Sequence, residues 1–153
     1  DIASLTDVFY IGGTKNGALF GEALIILNDE LKPDFRFMIK QKGAMLAKGW
    51  LLGIQFEELF QNNLFFDMAS HANAMAGKLR TALTDKGFSF AYDSQTNQLF
   101  PVFSNEMIAE LAKEFTFNMD KKIDETHSSI RLVTSWATTE DGVEEFIQFL
   151  KKY

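Results

Sequence analysis

The stretch from Asn62 to Lys86 constrains the fold most, because it reads as one long amphipathic helix: Leu64, Met68, Ala72, Met75, Leu79 and Leu83 recur at three- and four-residue spacing, and Gly87 stops it. After Gly87 the period changes. Phe88, Phe90 and Tyr92 alternate with Ser89, Ala91 and Asp93, the pattern of a half-buried strand, and Gln98 to Phe103 gives another after the turn-rich Asp93-Ser94-Gln95-Thr96-Asn97. Ser104-Asn105-Glu106 caps a helix predicted to reach about Phe115, Phe115, Phe117 and Met119 alternate again, and Ile130 to Trp136 forms a last strand. Thr138-Thr139-Glu140-Asp141 then opens a closing helix from Val143 to Lys152, with a capping-box pattern from Thr138 to Asp141. From residue 87 the order is β, β, α, β, β, α, a compact α+β module joined by the long helix to whatever precedes it.

Ahead of the helix, residues 7 to 12 form a predicted strand that stops at Gly12-Gly13 and is followed at once by Thr14 and Lys15, and Ala23-Leu24-Ile25-Ile26-Leu27 gives a second apolar run. Short runs apolar on both faces predict a central, parallel or mixed sheet covered by helices. Gly17 and Gly21 frame the link between the two runs. Asn28-Asp29 reads as a helix cap with Glu30 in the first turn and Pro33 near the start. From Phe35 to about Phe60 the pattern is helical, apolar and rich in small residues, with Gly43, Ala44, Ala47, Gly49 and Gly53 among Met45, Leu46, Trp50, Leu51 and Leu52. Small residues permit close backbone approach, so this segment is either a subunit or domain contact or an ordinary buried helix.

Composition narrows the function classes. At 153 residues and 46% hydrophobic content the chain can bury a sizeable core, as one domain or two small ones. A net charge of −6 and a pI near 4.9 argue against a nucleic-acid footprint. No apolar run is long enough to span a membrane. With no cysteine there is no thiol catalysis or Cys-based zinc site, a composition compatible with the cytoplasm, and two histidines far apart in sequence make a poor metal cluster, so no metal is expected. The chain begins with Asp1 and shows no leader, which predicts a cut N-terminus.

Lys15 is the residue with the clearest chemistry. A strand that ends in a Gly-rich turn holds the next side chain on a rigid edge, where open α/β sheets bind ligands. A lysine partly removed from water loses stability in its charged form, and its neutral amine becomes available for Schiff-base chemistry. The spacing alone is equally that of a lysine in a solvated turn.

Three segments together carry a family resemblance: Tyr10-Ile11-Gly12-Gly13-Thr14-Lys15-Asn16-Gly17, Gly49-Trp50-Leu51-Leu52-Gly53-Ile54-Gln55-Phe56 and Ile130-Arg131-Leu132-Val133-Thr134-Ser135-Trp136. In that order and at those separations, the chain resembles the C-terminal half of threonine aldolases, in the β-eliminating lyase-like branch of fold-type-I pyridoxal-phosphate enzymes. The resemblance implies an α/β to α+β architecture: residues 1–61 as the end of a large aspartate-aminotransferase-like cofactor domain, with the lysine loop and an interface helix, 62–86 as a linking helix, and 87–153 as a small C-terminal α+β domain. It implies that Lys15 forms the Schiff base with pyridoxal 5′-phosphate, with Thr14 beside it at the cofactor, and that Arg131 grips the substrate's α-carboxylate, which its planar fork suits. Lys40, Lys42 and Lys48 fall where the family places basic residues near the cofactor phosphate or the subunit boundary. Many relatives carry Gly-Gly-Gly-Met-Arg-Gln where this chain has Lys42-Gly43-Ala44-Met45-Leu46-Ala47-Lys48-Gly49, so a lysine stands near the expected arginine and a solvated helix face is the plainer reading of all three. His71 reads as a polar-face or interface residue and His127 as a solvated loop residue. The histidine that stacks on the cofactor ring, the acid that pairs with the pyridine nitrogen and most of the phosphate cup are expected upstream of Asp1.

The implied activity is a carbon–carbon lyase cleaving threonine to glycine and acetaldehyde, in a cytoplasmic homodimer or homotetramer. Two alternatives stand beside it. One is a β-eliminating lyase of the tyrosine phenol-lyase or tryptophanase type. The other, for this chain by itself, is a non-catalytic dimerisation and small-domain module.

Overall fold

The computed structural model describes all 153 residues, and they fall into two compact units, Asp1–Phe66 and Asp67–Tyr153. In the first, β1 (Val8–Gly12) and β2 (Glu22–Ile26) pair antiparallel, with Tyr10 opposite Leu24. Of the expected parallel or mixed sheet, the parallel pairing is therefore corrected for these two strands, whereas an antiparallel pair is what a mixed sheet contains. Only nine residues separate the strands, too few for a crossover, so the link through Gly17 and Gly21, both at positive φ, turns the chain back on itself.

The helical region is also divided. Asn28 caps as expected, its side chain accepting the Glu30 N–H at 2.9 Å, but it caps a single 3-10 turn, Asp29–Leu31. Pro33 has no N–H to continue the ladder, and α1 (Phe35–Gln41) starts after Asp34, which sits at φ 56°. Gly43 at φ 73° closes α1, with the Ala44 N–H on the Ile39 carbonyl at 2.9 Å. A second helix, α2, runs Trp50–Leu59. The predicted continuous helix from Phe35 to Phe60 is thus two helices and a break.

Of α2, Phe56 lies against Gly13 in the turn after β1, Leu52 lies against Gly21, and Leu59 is buried. Gln55 ties the helix to the loop: its Oε1 accepts the Leu19 N–H at 2.8 Å and its Nε2 donates to the Phe20 carbonyl. Little else in this unit is buried. Leu19 is 85% and Phe37 74% exposed, with Tyr10, Trp50 and Ile54 also in the open.

The long helix, α3, spans Leu64–Asp85, and Gly87 at φ 80° ends it, with the Phe88 N–H on the Leu83 carbonyl at 3.0 Å. In the second unit its stripe of Met75, Ala76, Leu79 and Leu83 lies in one core with Leu99, Phe103, Ile130 and the buried faces of two further helices, α4 (Asn105–Leu111) and α5 (Glu140–Leu150). Burial at about 25 cal/mol per Å² of apolar surface makes this the principal stabilising cluster.

The sheet of that unit is antiparallel and centred on β6 (His127–Val133). Along one edge β6 takes β3 (Gln98–Leu99) and then β4 (Val102–Ser104), and on the other it pairs with β5 (Asn118–Lys122). Pro101, lacking an N–H, divides the strand expected over Gln98–Phe103. The strand expected at Phe88–Tyr92 is reduced to one bridge, Phe90 to Pro101. Phe115 and Phe117 precede β5 and pack on the core instead of forming a strand face, while every residue of β5 is exposed. The last strand ends at Val133: the Thr134 N–H still reaches the Asn97 carbonyl at 3.0 Å, but the Thr134 carbonyl accepts the Asn97 side-chain Nδ2 at 2.6 Å and its hydroxyl donates to the Ala72 carbonyl at 2.7 Å. The closing helix is capped by Thr139, whose hydroxyl accepts the Gly142 N–H, and Thr138 accepts the Ser135 N–H in the preceding turn, so the capping box expected from Thr138 is replaced by a simple N-cap one residue on, Gly142 having no side chain to reciprocate.

Candidate active-site residues

Lys15 stands in a 3-10 turn, Thr14–Asn16, two residues beyond the end of β1. The turn is held from below: the Gly13 carbonyl accepts N–H bonds from Asn16 at 3.0 Å and Ala18 at 2.9 Å, and Gly13 and Ala18 are buried. Gly13 is required there, since a Cβ would come within 2.6 Å of the Ala18 Cβ and 3.0 Å of the Phe56 ring. The Lys15 side chain itself is exposed and forms neither a hydrogen bond nor an ion pair. Thr14 is exposed beside it. The result is a free primary amine on a short, anchored turn.

Lys40, near the end of α1, shares an open hollow with Arg36, Met45, Leu46 and Trp50, and no acid lines it. Lys42 and Lys48 are exposed and lie outside the lining of that hollow. The unpaired cations Arg36 and Lys40 give it a positive character suited to an anion.

In the second unit Arg131 lies on β6 directly opposite Asn118 on β5, and its Nη2 donates to Asn118 Oδ1 at 3.2 Å. It is exposed and pairs with no carboxylate. Sequence reading did not pick out Asn118, because nothing in the order of residues gives the register of β5 on β6.

The histidines have structural partners. His71, on α3, bonds through Nε2 to the Thr138 carbonyl at 2.7 Å, which makes Nε2 the donor. His127 sits at the β5–β6 turn, its Nδ1 2.9 Å from the Thr126 hydroxyl and 3.3 Å from Asp124 Oδ1. Asp124 organises that turn: its carboxylate accepts the backbone N–H of Thr126, then its hydroxyl, and also the His127 N–H, which together hold its pKa down at about 2. No group of three or more His, Cys, Asp and Glu side chains converges to hold a metal ion. No helix is long and apolar enough to cross a membrane.

The fold is the one found in fold-type-I pyridoxal-phosphate enzymes. It superposes with a TM-score of 0.69 on serine palmitoyltransferase from Sphingomonas wittichii at 12% identity, and with 0.63 on a serine palmitoyltransferase structure described as carrying its PLP internal aldimine, also at 12%. Among proteins of that fold the chain is threonine-aldolase-like along its length, matching one part of those longer proteins. It is 52% identical to the Leishmania major threonine aldolase, with a TM-score of 0.94 over 99% of this chain and 44% of that one. It is also 30% identical over 150 residues to a low specificity L-threonine aldolase of Pseudomonas aeruginosa and 29% identical over 144 residues to one from a Pseudomonas species. The chain spans 41% and 40% of the lengths of those two relatives. No protein-family model matches it.

Proposed function

We propose that this chain is the C-terminal part of a pyridoxal-phosphate-dependent lyase that cleaves β-hydroxy amino acids, threonine to glycine and acetaldehyde, with Lys15 as the Schiff-base lysine and Arg131 as the grip on the substrate's α-carboxylate. The observation that carries the reading is the likeness to the Leishmania threonine aldolase at 52% identity across 99% of the chain. The residues present fit the cofactor: an unpaired amine at a strand end for its aldehyde, and an unpaired guanidinium for the amino acid that reacts on it.

Pyridoxal phosphate supplies the electron sink for bond cleavage at the substrate. Lys15 would hold it through the Nζ amine, and the same amine is the group placed to carry a proton at the reacting centre. Its exposure here fits a pocket closed by residues outside this chain. Thr14 stands beside the tether. Arg131 orients the amino acid by a bidentate grip on its carboxylate, which leaves the amine to meet the cofactor. Of Lys40, Lys42 and Lys48, Lys40 is the best placed for a phosphate, since it shares the hollow with Arg36, and Lys48 is left with an interface role.

Residues 1–61 belong on this reading to the large cofactor domain, 62–86 to a linking helix and 87–153 to the small domain. The exposed Leu19, Phe37 and Trp50 support a homodimer or homotetramer, in which the first unit's apolar surface is covered. The lack of cysteine is compatible with the cytoplasm, and the net charge of −6 fits a small-molecule substrate better than a nucleic acid.

The test is the full-length enzyme supplied with threonine, allo-threonine, phenylserine and tyrosine, with glycine, aldehyde, pyruvate and phenol followed separately. Glycine and acetaldehyde from threonine are expected. Pyruvate with phenol from tyrosine, and no glycine, would instead mark a β-eliminating lyase. The 153-residue chain alone should develop little Lys15-dependent absorbance with pyridoxal phosphate, and a stable band of ordinary enzyme affinity would count against a pocket completed elsewhere.

A further inference from the structure

Arg131 has one hydrogen-bond partner, the side-chain amide of Asn118, at the position directly across the β5–β6 ladder. In an antiparallel pair a residue of opposite charge at that position is a common stabilising partner for arginine. Asp and Asn have the same shape, so an acid would fit in the same place. The chain has the neutral form. An amide oxygen accepts one of the five guanidinium N–H groups and fixes the plane of the fork, and it leaves the full positive charge uncompensated. The nearest acid along β5, Asp120, lies at the register shift between Met119 and Lys121 and forms no ion pair with Arg131. The shift leaves Asn118 and Met119 in regular register with Arg131 and Ile130.

We propose that Asn118 is a positioning residue for substrate binding: it holds the Arg131 guanidinium in the orientation that receives the amino acid's α-carboxylate while leaving that charge free. The inference rests on the reading of Arg131 as the carboxylate grip. An aspartate at the same position would occupy the fork with its own carboxylate and compete with the substrate.

The experiment compares Asn118→Ala, Asn118→Asp and Arg131→Ala in the full-length holoenzyme. Calorimetry gives the Kd of glycine and of ethylamine, an amine without a carboxylate, and steady-state kinetics give KM and kcat for threonine. Loss of one hydrogen bond in N118A should raise the glycine Kd about fivefold. In N118D the rise should be about tenfold or more, as expected for a charge-assisted pair that blocks the fork. Ethylamine should bind all three variants as it binds the unmodified enzyme, and the threonine KM should rise in both Asn118 variants with kcat near the unmodified value. If N118D binds glycine normally while R131A does not, the positioning role is overturned and the reading of Arg131 survives. If both Asn118 variants weaken glycine and ethylamine alike, Asn118 is only structural and the proposal fails. If R131A binds glycine normally, the reading of Arg131 fails and the proposal fails with it.

Discussion

The turn that carries Lys15 depends on a single hydrogen atom at Gly13. Its Cα faces the Ala18 methyl and the Phe56 ring with no room for a Cβ, and its carbonyl closes the turn through two N–H bonds. Gly13→Ala should therefore displace Lys15 and weaken cofactor binding by the full-length enzyme at least several-fold in an absorbance titration, since misplacement by an ångström is costly at a reacting group. An unchanged affinity would mean that the turn tolerates the shift. Ser129 makes the opposite case. It is fully buried on β6 and its hydroxyl has no partner, so Ser129→Ala should leave stability within about 1 kcal/mol of the original or raise it, as measured by urea unfolding. A loss of several kcal/mol would reveal a partner for that hydroxyl. At this scale the sequence displays the Gly-Gly-Thr-Lys run and the isolated Arg131, because their chemistry is in their side chains. It does not display why Gly13 must be glycine or that Asn118 faces Arg131, because both follow from contacts between residues distant along the chain.

Elements with a strong local signal were legible. The apolar stripe of α3 and its Gly87 stop are properties of neighbouring residues, and the structure places Met75, Leu79 and Leu83 on the buried face. Leu83→Ala, at a position with no exposure, should lower stability by about 2–5 kcal/mol in a denaturant series, and a cost under 1 kcal/mol would contradict the packing described. Strands were read less well. The alternation of Phe88, Phe90 and Tyr92 is genuine, yet the pairing is one bridge, Phe90 to Pro101, held by the Ala91 N–H on the Phe100 carbonyl and the Val102 N–H on the Ser89 carbonyl, and the extent of a cross-strand pairing does not show in either segment alone. The β5–β6 turn carries a pH dependence. Asp124 has its folded-state pKa lowered to about 2 from 3.8, so its contribution is fully present above the upper value and is lost as pH falls through the lower one. Exchange protection of the Thr126 and His127 amides, whose N–H groups its carboxylate holds, should therefore decline between those two values in the original protein. Constant protection across that range would show that the turn is held by something else.

At the scale of the molecule, the order of elements after Gly87 was readable as α+β, and the antiparallel pairing of β1 with β2 was not, since an apolar run reports burial and not strand direction. The two units differ in self-sufficiency: the second surrounds a continuous core, whereas the first buries little and exposes Leu19 and Phe37. That imbalance fits a chain that spans about two fifths of its relatives' length, with Lys15 exposed on the less complete unit. The central claim is that the Lys15 amine tethers pyridoxal phosphate. The most direct measurement is borohydride reduction of the full-length enzyme loaded with pyridoxal phosphate, followed by peptide mass spectrometry. The account predicts a pyridoxyl-modified peptide at Lys15 that disappears in Lys15→Ala, and a modification found on another lysine, or none at all, would contradict it.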